Sequence, residues 1–379
     1  MAVSPVRSGF WLEYGNREAP ELVAFADALA QTPAARPGVC FGPLNGRATL
    51  EPLYRRARAA GDAIFEPHGY LLDLDHTVRS RNHFPWLVQT PRPATRAQWE
   101  QWMHHALDHQ LSARLLGNAG APSFVVTASP RMEAARGALE LNTVLDAAAA
   151  VRSRVSAGTD CWHGVTVDRT YLREQQHLIR LLNAMVQIGA DGFVFRSQHT
   201  QLPPVDDPLY LAGLREVVEA CAANKIRIFL PSSGWLGWLA MGWGAWGFSG
   251  GMAAGSWVDR VPTPMTPPQQ RPLPYYEPQL LRNLPWRIHQ QLVNESGYQP
   301  CVCTDCAQMS VSHDLPLAKR HQLRHAAEET AALTAVPVAQ RRRLVANRLD
   351  TAIAFRDSLS APVAARIETR HLDRWRGLL

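Results

Sequence analysis

The chain has 379 residues, 46% of them hydrophobic and 19% charged, which is enough apolar material for a large core and excludes a disordered or fibrous protein. Lys plus Arg number 39 against 33 for Asp plus Glu, a formal charge of +6 that suits a polyanionic partner without requiring one. Six cysteines are too few for a disulfide scaffold at this length.

From the start of the chain, Met1 to Gly15 carries Arg7 but no apolar stretch of the kind that begins a secretory signal, so the expected location is cytoplasmic. From about Gly38 to Gly250, short β-branched or aromatic runs alternate with longer stretches of helical periodicity, the pattern of βα units and a parallel sheet. Strands are expected at Val39–Leu44, Ala63–Tyr70, Ser123–Ala128, Gly164–Val167, Gly192–Arg196, Ile226–Pro231 and Trp246–Ser249. Helices are expected at Leu50–Ala60, Arg96–Leu116, Met132–Arg154, Tyr171–Ile188, Pro208–Asn224 and Trp235–Gly242. Seven strands are one short of a closed (β/α)8 barrel, and the segment after Pro278 has room for the eighth.

The most apolar stretch, Gly234 to Phe248, is too short and too interrupted by glycine to span a bilayer. Its tryptophans at 235, 238, 243 and 246 read as core packing ahead of base stacking. A proline-rich insertion at about 261–285 reads as an extended surface segment or lid near the barrel mouth. Beyond it, Leu315–Ala332 and Val338–Leu359 look helical, with Arg341, Arg342 and Arg343 as a basic knot that either binds phosphates or is a solvated helix end. The expected architecture is an α/β (β/α)8 TIM-type barrel over 1–295 followed by a zinc-binding helical subdomain over 296–379.

Cys301-Val-Cys303-Thr-Asp-Cys306 is the sharpest local signal. A tight turn can aim three thiolates at one Zn²⁺, each about 2.3 Å away. His313, His321 and His325 are within reach as the fourth ligand; His321 is preferred as the residue at the start of the following helix, with His325 one turn later as the fallback. Four protein ligands leave no open position for water, so the metal is expected to be structural.

A Cys-x-Cys-x-x-Cys turn followed by a helix-borne histidine, C-terminal to a βα barrel, resembles the tRNA-guanine transglycosylase superfamily. Two further stretches resemble it. Leu230-Pro-Ser-Ser-Gly to Trp-Gly-Phe-Ser249 looks like the family's strand, glycine turn, short helix and nucleophile-bearing strand. Ala63-Ile-Phe-Glu66-Pro-His68-Gly69-Tyr70 looks like its acidic residue on an earlier strand. The resemblance spans about Val39 to Leu359. It implies exchange of guanine in tRNA or DNA for a 7-deazaguanine base through a covalent glycosyl-aspartate. It also implies a homodimer or a heterodimer with a paralogue. Glu66 matches the second catalytic carboxylate, and Ser249, followed by Gly250 and Gly251, stands where the family places its nucleophilic aspartate. Ala128 or Ser129 stands where the family has a base-reading aspartate. A serine in the nucleophile's place opens two other readings: a non-catalytic accessory subunit, or a nucleoside hydrolase on the same scaffold.

Strand position alone selects Glu66, Asp168, Arg196, Gln198, Ser232, Ser233 and Ser249, because reactive groups in βα barrels sit at the C-terminal strand ends. Glu66 and Asp168 are the candidate catalytic carboxylates, although Asp168 equally suits a helix N-cap. His68, Ser129, Gln198, Ser249 and Gly250 are the candidate substrate contacts. Gly250, Gly251 and Gly255 give a loop that lets backbone approach a ligand closely. Asp73, Asp75 and His76 read as a polar turn, and His104, His105 and His109 as a solvated helix face. Cys161 and His163 on one strand read as flanking residues and not as a thiol with its base.

Overall fold

The computed structural model describes residues 8–14, 24–26, 28–29, 37–42, 47–73, 92–112, 120–155, 159–198, 205–251, 274–309 and 314–379. Eight strands form a nearly closed parallel barrel: β1 (Gly9–Tyr14), β2 (Gly38–Phe41), β3 (Ala63–Phe65), β4 (Val125–Thr127), β5 (Cys161–Val167), β6 (Gly192–Ser197), β7 (Arg227–Leu230) and β8 (Gly247–Gly251). Neighbours in sequence are neighbours in the ring, and β1 pairs with both β2 and β8, all in parallel register. Between β3 and β4 the ladder is replaced by two hydrogen bonds, the Ser123 N–H to the Ala63 carbonyl at 2.9 Å and the Ala63 N–H to Ser123 Oγ at 3.1 Å.

The eighth strand is thus the first in the chain. Gly-Phe-Trp-Leu-Glu-Tyr over Gly9–Tyr14 is buried throughout and closes the ring against β8. The stretch after Pro278, proposed for that place, instead belongs to an antiparallel hairpin of β9 (Pro274–Glu277) and β10 (Arg282–Pro285). Tyr275, Tyr276, Leu280, Leu281 and Leu284 of this hairpin are buried, so its apolar side chains make it core and not lid. Residues 261–273 of the proline-rich stretch lie outside the described residues, as do Asp75, His76 and Gly255.

The helices around the barrel are α1 (Arg47–Ala60), α2 (Arg96–Gln110), α3 (Gly137–Arg152), α4 (Gln175–Gln187), α5 (Pro208–Ala223) and α6 (Trp235–Trp243). Thr95 begins α2 with a reciprocal capping box to Gln98, and Asp207 caps α5 ahead of Pro208. The single helix expected over Tyr171–Ile188 is broken at Glu174, whose backbone is extended. After the barrel come α7 (Trp286–Leu292), α8 (Thr304–Gln308), α9 (Leu315–Thr334), α10 (Val338–Ser358) and α11 (Arg370–Arg376). Leu323, Val345, Leu349 and Trp375 from this C-terminal region join the same apolar cluster as the outer face of the barrel strands.

Inside the barrel, side chains alternate along each strand, so residues two apart share the inward face. Trp11, Phe124, Trp162 and Phe229 with Trp246 fill one end; Phe124 stacks on Trp162 at 4.2 Å between ring centroids. The adjoining strands make room with glycine. A Cβ on Gly38 would stand 2.4 Å from the Trp11 ring, and one on Gly192 would stand 2.6 Å from that of Trp162. Two residues further along the inward face, Trp11 gives way to Glu13, Ile64 to Glu66, Val194 to Arg196 and Gly247 to Ser249. The aromatic plug closes the N-terminal end and a polar layer occupies the C-terminal mouth.

Candidate active site and metal centre

Glu66 follows β3 directly, and its N–H donates to the Phe41 carbonyl at 3.0 Å, which holds it at the mouth. Its Oε2 lies 2.9 Å from Arg196 Nη2 and 2.6 Å from His68 Nε2, and its Oε1 accepts the His68 N–H at 3.2 Å. Burial works to raise the Glu66 pKa, but the Arg196 guanidinium and His68 override it and hold the carboxyl at about 2. The Tyr70 hydroxyl lies 3.1 Å from His68 Nδ1, and the Arg196 guanidinium sits over the Tyr70 ring at 4.9 Å.

Arg196 continues the chain of contacts across the mouth. Its Nη1 donates to Ser232 Oγ at 3.2 Å, and that oxygen lies 2.8 Å from both carboxylate oxygens of Glu13. Ser249 Oγ accepts the Ser232 N–H at 2.8 Å and reaches Glu13 Oε2 at 3.3 Å. The result is one polar chain, Tyr70–His68–Glu66–Arg196–Ser232–Glu13–Ser249, buried except for the half-buried Tyr70 and drawn from the C-terminal ends of five strands. Two of its members hold left-handed backbone without being glycine, His68 at φ 46° and Ser232 at φ 53°. Such conformations cost about 1–3 kcal/mol each and collect where a site over-determines them.

Glu66, His68 and Ser249 are therefore together, as the sequence placed them. Gly250 lies on β8 in register with Leu12, beside the network. Ser129 Oγ accepts the Thr166 N–H and donates to the Pro130 carbonyl, so it ties backbone, and a Cβ on Gly69 would meet the Ser129 carbonyl at 2.5 Å. Gln198 accepts from Arg131 Nη1 at 3.3 Å. Asp168 is engaged by backbone instead of by the network: it accepts the N–H of Ala134 at 2.9 Å and of Thr170 at 2.8 Å, although the N-cap position of the following helical turn is held by Arg169. Ser233 Oγ turns back to the Leu230 carbonyl. Burial pushes the Cys161 thiol up to about 12, so it is no thiolate. Trp235, Trp238 and Trp243 are buried. Of the basic knot, Arg341 is buried and donates to the Leu333 carbonyl, while Arg342 pairs with Glu219.

Glu13 was not among the residues singled out from the sequence. The signal was present: an alternating aromatic and aliphatic run, Phe10-Trp11-Leu12, ends in a carboxylate followed by Tyr14-Gly15. That is the form of a barrel strand whose last inward residue is acidic.

The second cluster lies in the C-terminal region. Cys301, Cys303, Cys306 and His321 bring their ligand atoms within 4.8 Å of one another. His321 Nδ1 is 3.8, 3.4 and 3.2 Å from the three sulfurs in chain order. A tetrahedral ion with metal–sulfur and metal–nitrogen bonds near 2.3 and 2.0 Å needs sulfur–nitrogen edges of about 3.5 Å, so these residues fit a four-coordinate metal. His321 Nε2 lies 2.8 Å from the Tyr276 carbonyl; donation of its proton there leaves Nδ1 free to ligate. His321 lies two turns into α9 and not at its start. His325 Nε2 approaches Cys301 at 3.2 Å, and His313 lies outside the described residues. Buried Asp305, held by Arg320 at 3.1 Å and Arg324 at 3.0 Å, fixes the thiol turn to α9.

No protein-family profile and no curated protein matches this chain. Among the described residues, no helix is long and apolar enough to cross a membrane.

Proposed function

We propose that the chain is a base-exchanging glycosyltransferase that replaces guanine in tRNA or DNA with a 7-deazaguanine base. The observation that carries this reading is the polar chain at the barrel mouth, in which one guanidinium, Arg196, binds the Glu66 carboxylate directly and reaches a second, Glu13, through the Ser232 hydroxyl. Breaking a C1′–N bond builds oxocarbenium-like positive charge on the sugar, and a preorganised anionic wall stabilises that charge in a water-poor site. Glu66 stays ionised across the neutral range, and His68, between Glu66 and the Tyr70 hydroxyl, would move a proton at the base. The net charge of +6 suits a nucleic acid. Cys301, Cys303, Cys306 and His321 would hold Zn²⁺ with every position filled, a structural role that fixes the C-terminal region and adds no step to the chemistry.

A second reading, an accessory subunit that binds without turnover, is favoured by Ser249, which is fully buried and has a hydroxyl where the resemblance calls for a carboxylate. Incorporation of labelled guanine into tRNA and into DNA by the zinc-loaded protein separates the two. The expected result is incorporation into one of these polymers, reduced by about 10²–10³ in Glu66→Gln. No incorporation into either polymer contradicts catalysis of exchange, and base release from free nucleosides alone points to the hydrolase.

A further inference from the structure

We propose that Glu13 is the carboxylate that attacks C1′ and carries the sugar between the two bases, an assignment that rests on the glycosyl-transfer reading above. The two acids of the mouth are not equivalent. Both oxygens of Glu66 are taken, one by a guanidinium and an imidazole and the other by a backbone N–H, so its lone pairs are directed into a cation. Glu13 meets only hydroxyls among the described residues, those of Ser232 and Ser249.

The orientation of those hydroxyls follows from their other partners. Ser232 Oγ accepts from Arg196 Nη1 and Ser249 Oγ accepts the Ser232 N–H, so both are left to donate their protons to Glu13. Each holds the carboxylate in place, while the Arg196 guanidinium reaches Glu13 through an intervening hydroxyl. This leaves Glu13 more nucleophilic than Glu66. Register supplies the position. Trp11 pairs with Ser249 and Glu13 with Gly251, so Glu13 starts two residues further up the barrel than Ser249 and has the longer side chain. Ser249 is fully buried, whereas Glu13 keeps 8% of its surface exposed. The serine on β8 is an orienting group for a nucleophile on the neighbouring strand.

In the step, a Glu13 oxygen bonds to C1′ as the C1′–N bond breaks and its electron pair passes to the departing guanine. The ring nitrogen of the incoming 7-deazaguanine then bonds to C1′, and the ester C–O pair returns to Glu13. The proton lost by the incoming base balances the one taken up by the guanine, and nothing is oxidised or reduced.

The test has two arms on the full chain. Protein mixed with tRNA or DNA oligonucleotides and quenched in acid is digested for peptide mass spectrometry; the expected adduct lies on Glu13 and is absent from Glu13→Gln. A cationic iminoribitol, which carries the sugar's positive charge and has no leaving base, is titrated by calorimetry. Glu13→Gln should weaken its binding at least tenfold and Glu13→Asp should recover most of the loss, with circular dichroism confirming that each variant folds. An adduct on Glu66 or Ser249, or iminoribitol binding that is absent or undiminished in Glu13→Gln, overturns the assignment. A chain that exchanges no base yet binds iminoribitol through Glu13 overturns the base-exchange reading and leaves Glu13 as the sugar-facing anion.

Discussion

Arg196 and Glu66 form a pair whose removal should be felt unequally from its two ends. The Arg196 side chain is 2% exposed and that of Glu66 is 6% exposed, so Arg196→Met leaves a buried carboxylate with only His68 beside it and should cost about 3 kcal/mol in urea denaturation. Glu66→Gln leaves a guanidinium that still has Ser232 and the Tyr70 ring, and should cost less. Acid sensitivity follows from two residues of opposite kind. Glu66 is held at about 2 against an ordinary 4.5, so its contribution is complete above pH 4.5 and disappears as pH falls toward 2. His163 is fully buried in the wall of β5, neither ring nitrogen has a hydrogen-bond partner among the described residues, and burial lowers it to about 4 from 6.5. Below pH 6.5 the unfolded chain takes up a proton that the folded chain refuses until about pH 4. Stability should therefore fall by about 3 kcal/mol across that window. His163→Leu should flatten the curve between pH 6.5 and 4 and leave the Glu66 limb below 4.5 intact; an unchanged slope would contradict the account.

Among the elements, the aromatic plug makes the most specific demand. Trp11 and Trp162 lie across Gly38 and Gly192 of the next strands with no space for a methyl group, so Gly192→Ala should cost about 1–3 kcal/mol through overpacking. Trp11→Ala should cost about 3–5 kcal/mol through the cavity it leaves, both read as shifts in the denaturation midpoint. Strands β5, β6 and β7 were legible because their buried runs are separated by strongly periodic helices. β1 was not, because a six-residue run of Gly-Phe-Trp-Leu-Glu-Tyr resembles any short apolar run. With β1 went Glu13, so half of the acidic pair at the mouth was missed in the sequence. Glu66 and Ser249 were visible because each sits at the end of a recognisable strand. Ser232, which joins Arg196, Glu13 and Ser249, was only one of several serines near a strand end, since contacts across the barrel leave no mark in local spacing.

For the whole molecule, the C-terminal helices share a core with the barrel, and the thiol–imidazole cluster sits where β9, α8 and α9 meet. The cysteine spacing made that cluster readable in advance, whereas the hairpin that cradles it was hidden in a proline-rich stretch. One metal ion per chain is expected by elemental measurement. Chelation or Cys303→Ser should lower the melting temperature and loosen the C-terminal region in hydrogen exchange before the barrel opens. The most direct trial of the central claim, that the barrel mouth is a pocket for a purine-like base, is a crystal of the full chain soaked with a 7-deazaguanine. The account predicts density at the C-terminal end of the barrel, within hydrogen-bonding reach of the chain that joins Glu66 to Ser249. Density only in the cavity of about 460 Å³ beside the metal ligands, lined by Tyr275, Trp286, His289 and Tyr298, or no bound base at all, would contradict it.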